Sequence, residues 1–267
     1  MKVLTIITSR SITFNRFLLE VSDSLSKKFN IILCCKDTNK INLSEDFCKE
    51  DIHFPNSLLE LINLKKTFKI FYQILNILNK SDLIYIHTPL ASHLVRFVNM
   101  FSSKKIKIIY HIHGLRYIPG QWGIKDFIFK LIEFLLAFKT DKFIAINNQD
   151  YLSLKKFVPK EKISLIKGVG VNLPPKMTIK NLPNSDQVFV VGVIASFKKE
   201  KGYQELVEVA KICQKNPNII FTGKLTFKEI CQYFKKCDYT ISSSFIGGKP
   251  FSVIEGMSYG LPCVHTN

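Results

Sequence analysis

Gly247-Gly248-Lys249-Pro250-Phe251-Ser252-Val253-Ile254-Glu255-Gly256-Met257-Ser258-Tyr259-Gly260-Leu261-Pro262 reads as a tight loop, a short helix and a helix stop. Two glycines and a proline shape the loop. Ser252 opens the helix, Glu255 stands in its first turn, and Gly260-Leu261-Pro262 closes it. One strand is expected before this stretch, Tyr239–Ser242, and another after it, Cys263–His265. Strand, loop, helix, strand is the repeating unit of an α/β domain. The helix start also offers unpaired backbone N–H groups and the positive end of a dipole, which suit a phosphate. A glutamate beside it can accept hydrogen bonds from sugar hydroxyls. Ser252 and Glu255 equally have the spacing of a capping box, in which the carboxylate serves only a backbone N–H. Both readings stand on the local sequence.

The same alternation runs through the whole chain. Val3–Thr8, Ile31–Cys35, Leu83–His87, Ile106–His111, Phe143–Ile146 and Ile163–Ile166 read as strands buried on both faces. Helices are expected over Phe14–Lys28, 57–80 with Asn56 or Ser57 as cap, from Pro89, over Ile124–Lys139 and over Asp150–Phe157. Proline- and asparagine-rich residues 173–186 break the pattern and read as a linker. Alternation restarts with strands at Val188–Ile194 and Ile219–Thr222 and helices at Tyr203–Gln214, Phe227–Lys236 and Ser252–Tyr259. The expectation is α/β: two doubly wound, Rossmann-like domains, residues 1–172 and 187–267, facing a cleft at the carboxyl ends of their strands. The second is much the smaller.

The chain has 267 residues, 46% of them hydrophobic, and carries a net charge of +17. Residues 1–175 hold 26 basic and 14 acidic side chains, against 12 and 7 in the remainder. A basic first half suits an anionic partner or a solvated lysine surface. The segments 57–80 and 124–139 are rich in Leu, Ile and Phe interleaved with lysines. They fit either the surface of an anionic membrane or a tightly packed α/β core. Seven scattered cysteines without a C-x-x-C pair fit reduced thiols in the cytoplasm. Neither a signal peptide nor a spanning helix is legible.

His111-Ile112-His113-Gly114 ends a strand, and residues two apart share a strand face. Both imidazoles could meet a metal or a phosphate. No acidic or cysteine partner lies near them in sequence, so no metal site is expected. Lys198-Lys199-Glu200-Lys201-Gly202 falls between a strand and a helix, where a lysine can neutralise a diphosphate or simply be solvated. There is no Asp-x-Asp, no Walker lysine loop, no G-x-G-x-x-G after the first strand and no G-x-S-x-G elbow. No RNA-reading pattern of aromatic and basic residues is present. Nucleic acid is therefore not an expected partner.

Five segments in order resemble glycosyltransferase family 4, of the two-domain GT-B fold, in the branch that builds bacterial surface polysaccharides. They are Tyr110 to Tyr117 with its His-Gly, the Asp141-x-x-Ile144-x-x-Asn147-x-x-Asp150 pattern, Ile166 to Asn172, Glu200-Lys201-Gly202, and Ser252 to Pro262. The resemblance spans almost the whole chain. It implies sugar transfer from a nucleoside-diphosphate donor to a lipid-linked (polyprenyl diphosphate) saccharide, as in O-antigen, capsule or exopolysaccharide assembly. It implies retention of anomeric configuration, no cofactor, no metal, and a peripheral place at the inner face of the cytoplasmic membrane. Carried over by position, Glu255 holds the donor ribose and Lys201 the diphosphate, with Lys198 assisting. Gly248, Lys249, Pro250, Phe251 and Ser252 face the sugar and phosphate, and His113 stands near the transferred sugar.

The chain departs from the family pattern at four places. Gly247 stands where the family has a first glutamate, and Ser196 where it has an arginine. One strand–helix unit is missing between Cys213 and Ile219, and the sequence ends at Asn267 soon after a strand. The second domain is thus expected to be reduced or incomplete. A catalytically inactive remnant that binds a membrane or a partner is the alternative expectation.

Overall fold

The computed structural model describes residues 1–43, 47–55, 57–104, 106–117, 123–171, 190–195, 201–213, 220–244 and 251–265. The chain divides into two compact units, Met1–Val169 and Gly170–Asn267. In the first, the apolar runs form β1 (Val3–Arg10), β2 (Asn30–Lys36), β3 (Cys48–Asp51), β4 (Leu83–Ile86), β5 (Lys107–Ile112), β6 (Lys142–Ala145) and β7 (Ile163–Leu165). These make one parallel sheet in the order β3-β2-β1-β4-β5-β6-β7. Successive side chains point to opposite faces. Ile6 and Ile7 of β1 accordingly belong to two different core clusters.

Helices α1 (Ser11–Phe17), α2 (Leu19–Ser26), α3 (Leu64–Lys80), α4 (Pro89–Val98), α5 (Ile124–Ala137) and α6 (Asn148–Leu154) connect these strands. The alternation agrees with the sequence-based expectation, and its exceptions have local causes. The helix expected over Phe14–Lys28 is interrupted at Leu18, whose backbone (φ −123°, ψ −5°) leaves the helical region. The helix expected from residue 57 begins at Leu64, after a short 3-10 turn at Leu58–Ile62. Its cap is Asn63, whose side-chain oxygen accepts from the Lys66 N–H. Strand β3 was not expected. Its sequence, Cys48-Lys49-Glu50-Asp51, lacks an apolar run because it is an edge strand with only β2 beside it.

The apolar helices bury one face and leave the other outside. Helix α3 buries Ile74, Ile77 and Leu78 while Phe68 and Tyr72 are exposed. Helix α5 buries Phe129 and Leu136 and exposes Phe127, Leu131 and Leu135, and Phe138 just past its end is exposed as well. It also buries a charge. Glu133 accepts from Arg96 Nη2 at 2.8 Å and from His93 Nε2 at 2.7 Å, both on α4. The Arg96 guanidinium lies 4.7 Å over the Tyr110 ring, and the three members of the triad are at most 5% exposed. Burial alone would raise the Glu133 pKa, but the Arg96 charge and the His93 contact outweigh it and hold the group at about 2.

The second unit contains β8 (Val191–Gly192), β9 (Tyr239–Ser242) and β10 (Cys263–His265), parallel in the order β10-β9-β8. Helices α7 (Tyr203–Cys213), α8 (Phe227–Lys236) and α9 (Phe251–Ser258) accompany it. Thr226 and Glu229 form a reciprocal capping box at the start of α8, and Ile230 and Phe234 turn inward. The strand expected over Ile219–Thr222 is not present at residues 220–222, which join neither sheet. Ile220 and Phe221 face solvent, so this apolar run has no ladder to complete. The expected linker, 173–186, lies outside the described residues.

One device starts three strands across both units. Asp82 immediately precedes β4. Its N–H donates to the Val3 carbonyl and its carboxylate accepts from the Val3 N–H. Asp141 makes the same pair of bonds with Ile108 before β6, and Asp238 with Val190 before β9. Each aspartate thus closes the amino end of a strand pair and fixes its register.

Candidate active site

In a parallel α/β sheet the loops that bind ligands leave the carboxyl ends of the strands. In the second unit these ends carry Lys201 and Gly202 after β8 and Ser243 and Ser244 after β9. Gly202 has φ +64°, a conformation that L side chains rarely adopt, and a Cβ there would sit 2.5 Å from the Ser243 carbonyl oxygen. The Ser243 hydroxyl donates to the Lys201 carbonyl at 2.7 Å. The loop is thereby pressed onto the end of β9, and Lys201 Nζ donates to Ser244 Oγ at 3.0 Å. Among the described residues this half-buried ammonium meets a hydroxyl and no carboxylate. The Tyr203 hydroxyl donates to the Ala195 carbonyl at 2.7 Å, joining the chain on the two sides of residues 196–200.

Gly202→Ala is expected to lose Lys201 placement. The strained φ and the collision with the Ser243 carbonyl together cost about 1–3 kcal/mol. Thermal melting should show a modest drop. Nucleotide titration should show a loss of affinity larger than that drop accounts for.

Helix α9 approaches β9 closely because residue 256 is glycine, where a Cβ would sit 2.8 Å from Thr240 Oγ1. The helix starts at Phe251, one residue before the expected Ser252, and has no acidic residue in its first turn. Ser252 therefore lies inside the helix, and Glu255 stands a full turn in. This corrects the capping-box geometry: a residue already in the helix cannot be its N-cap. Ser252 lines a small hollow with Ile194, Thr240 and Ile241. Glu255 is half-buried on α9, and its backbone carbonyl accepts from Ser258 Oγ at 2.6 Å. Lys198, Gly248, Lys249 and Pro250 lie outside the described residues, as do Ser196 and Gly247.

His113 belongs to the first unit, just past the carboxyl end of β5. It lies next to Gly114, whose φ of +124° lets the chain turn away. The structure adds a residue that the sequence did not single out. His87 follows the neighbouring strand β4, and its Nδ1 lies 3.1 Å from His113 Nε2. His111, on β5, shares a 2.7 Å hydrogen bond between its Nδ1 and the Tyr85 hydroxyl. Burial pushes His113 down to about 4 and His111 to about 3, the latter with help from His113. His87 is driven well below the usual imidazole range by burial and by both neighbours. All three rings are therefore neutral at pH 7. The signal for His87 is its position: Leu83–Ile86 pairs with Lys107–Tyr110, so the two strands end side by side.

The Asp141 to Asp150 pattern has structural work in this unit. Asp141 closes the β5–β6 pair, and Asn147 caps α6 by accepting from the Asp150 N–H. Asp150 accepts from the Leu115 N–H at 3.3 Å and so ties down the loop that follows His113.

Residues 176–267 match the family model described as glycosyl transferases group 1. The chain is 23% identical over 265 residues to an uncharacterized 41.2 kDa protein in the cps region of Klebsiella pneumoniae, covering 88% of this chain and 73% of that one. It is 22% identical over 285 residues to the Escherichia coli UDP-Gal:alpha-D-GlcNAc-diphosphoundecaprenol alpha-1,3-galactosyltransferase, covering 91% and 72%. Among solved structures, Anabaena HepE in complex with UDP and glucose superposes with a TM-score of 0.69 at 14% identity, over 99% of this chain and 80% of that one. The fold is of the GT-B type, as expected from the sequence.

Proposed function

We propose, from the match of residues 176–267 to the group 1 glycosyl transferase model, that the chain transfers a sugar from a nucleoside diphosphate to a lipid-linked saccharide in bacterial surface-polysaccharide assembly. The observation that carries this reading is Lys201, an ammonium without a carboxylate partner among the described residues, held at the carboxyl edge of the second sheet. In the proposed reaction an acceptor hydroxyl oxygen bonds to the anomeric carbon on the face the diphosphate leaves, which retains configuration. The anomeric carbon–oxygen bond breaks, and its electron pair goes to the diphosphate oxygen. That oxygen also takes the acceptor's proton. Lys201 stabilises the growing negative charge, which lowers the barrier more than it stabilises bound donor. Lys198 and the 248–252 segment would share this work, Glu255 would hold the ribose hydroxyls, and His113 would stand near the sugar.

Residues 1–172 take the acceptor side in this reading and 187–267 the donor side. A lipid-linked acceptor keeps the enzyme at a membrane surface. The exposed Phe127, Leu131 and Leu135 of α5 and Phe138 after it, beside exposed Lys125, Lys130 and Lys139, are suited to an anionic one. Among the described residues no helix is long and apolar enough to cross a membrane. The relative from Escherichia coli is named for UDP-Gal and a diphosphoundecaprenol-linked sugar, and HepE was solved with UDP. UDP-sugars and polyprenyl-diphosphate saccharides are therefore the first substrates to test. Labelled sugar from a UDP-sugar panel should appear in the lipid extract when purified chain is mixed with lipid-linked acceptors. Folded chain that binds no nucleotide by calorimetry and transfers nothing would be the inactive remnant.

A further inference from the structure

Among the described residues one group of three side chains is arranged to hold a metal ion: His87, His111 and His113. We propose that these three imidazoles bind a borderline divalent transition ion such as Zn2+ or Co2+, leaving a fourth position for an oxygen ligand. One ligand nitrogen from each ring lies within 4.8 Å of the others. Two of the nitrogens, His87 Nδ1 and His113 Nε2, are already 3.1 Å apart. Ligands at about 2.0–2.1 Å around a tetrahedral zinc stand about 3.3 Å apart, so the separation of this pair already suits two ligands, and binding needs the two rings to turn from facing each other to facing the ion.

The hydrogen now shared between His87 and His113 can move to His87 Nε2, freeing two lone pairs without loss of a proton. His111 is positioned from behind. Its Nδ1 is engaged by Tyr85, while its Nε2 is buried with no hydrogen-bond partner. A ring whose far nitrogen is held by a hydroxyl and whose near nitrogen is unsatisfied is the usual setting of a histidine ligand. The chemistry of the set also selects the ion. Three nitrogens and no carboxylate favour zinc-like ions over magnesium or calcium.

Proximity in the chain shows only two of these ligands, His111 and His113. The third comes from the adjacent strand, 24 residues before His111. If His113 also faces the transferred sugar, an ion on its Nε2 withdraws it from that contact, and occupancy opposes transfer. That consequence rests on the transferase reading. The binding itself does not.

The test is titration of the full chain with Co2+ and Zn2+ in the absence of any sugar donor, read by calorimetry and by cobalt absorption. One ion per chain with the intense visible bands of four-coordinate cobalt is expected. His111→Gln and His113→Asn should each weaken binding on the order of 100-fold or more. Tyr85→Phe should weaken it about 10-fold, as loss of an outer partner does, and His265→Ala should change nothing. Circular dichroism and melting of each variant establish that it is folded. Absence of stoichiometric binding by the folded wild-type chain overturns the proposal. So does binding that survives both histidine replacements at full affinity.

Discussion

Glu255→Ala lowers kcat/KM for sugar transfer about 100-fold while leaving the melting temperature within a few degrees of wild type. The magnitude follows from the proposed role, a carboxylate that accepts from ribose hydroxyls, which is worth about 1.5–3 kcal/mol per charged hydrogen bond, with each 1.4 kcal/mol a factor of ten. Glu255→Gln keeps an acceptor without the charge and should cost about tenfold. The competing structural role predicts another result. A carboxylate that only finished the helix start would cost stability and leave turnover intact. The position of Ser252 inside α9 removes the serine half of the capping box. Steady-state kinetics beside a melting curve separates the two, and a folded Glu255→Ala chain with wild-type kinetics removes Glu255 from the donor site.

Glu133→Ala produces the largest loss of stability, about 3–5 kcal/mol, because it leaves the buried Arg96 without its counter-charge. For a chain of this size each kcal/mol moves the midpoint by about 2–4 °C, so a drop on the order of 10 °C is expected. Replacing Glu133, Arg96 and His93 together by apolar residues should recover most of it. The pH dependence has a definite sign. Glu133 titrates at about 2 in the folded chain, below the ordinary carboxylate value of 4.5. Its stabilisation is complete above about pH 4.5 and is lost progressively as pH falls toward 2. Wild-type chain should lose stability through that window more steeply than Glu133→Ala. Parallel acid titrations followed by far-UV circular dichroism would reveal the difference, and equal slopes would mean that the triad contributes nothing.

The strands buried on both faces were legible because burial on two sides forces continuous apolar runs such as Val3-Leu4-Thr5-Ile6-Ile7. Edge strand β3 was not, since Cys48-Lys49-Glu50-Asp51 lies at the rim of the sheet, where polar side chains are tolerated. Helix starts shifted at α3 and α9 because capping is decided by which backbone turns first, and several polar residues can serve. At the candidate site, the Lys-Gly context singles out Lys201 in the sequence, yet the reason for the glycine was not visible there: it is the nearby Ser243 carbonyl, 41 residues away. His87 escaped for a similar reason. A constellation assembled across adjacent parallel strands leaves no spacing in the chain to detect. The buried Glu133 was hidden inside an apolar helix, where a single acid looks like one more interruption of the apolar face.

Within the first unit Asp82 and Asp141 lie at the opposite sheet rim from His113, and within the second Asp238 lies at the opposite rim from Lys201 and Ser244. Strand alignment is thus anchored at one pole of each layered unit and recognition at the other. Such a division lets the recognition pole absorb insertions, deletions and exchanged segments while the strands keep their pairing. Donor preference in this chain should therefore be transplantable by loop grafting, with the aspartate-bearing segments carried over untouched.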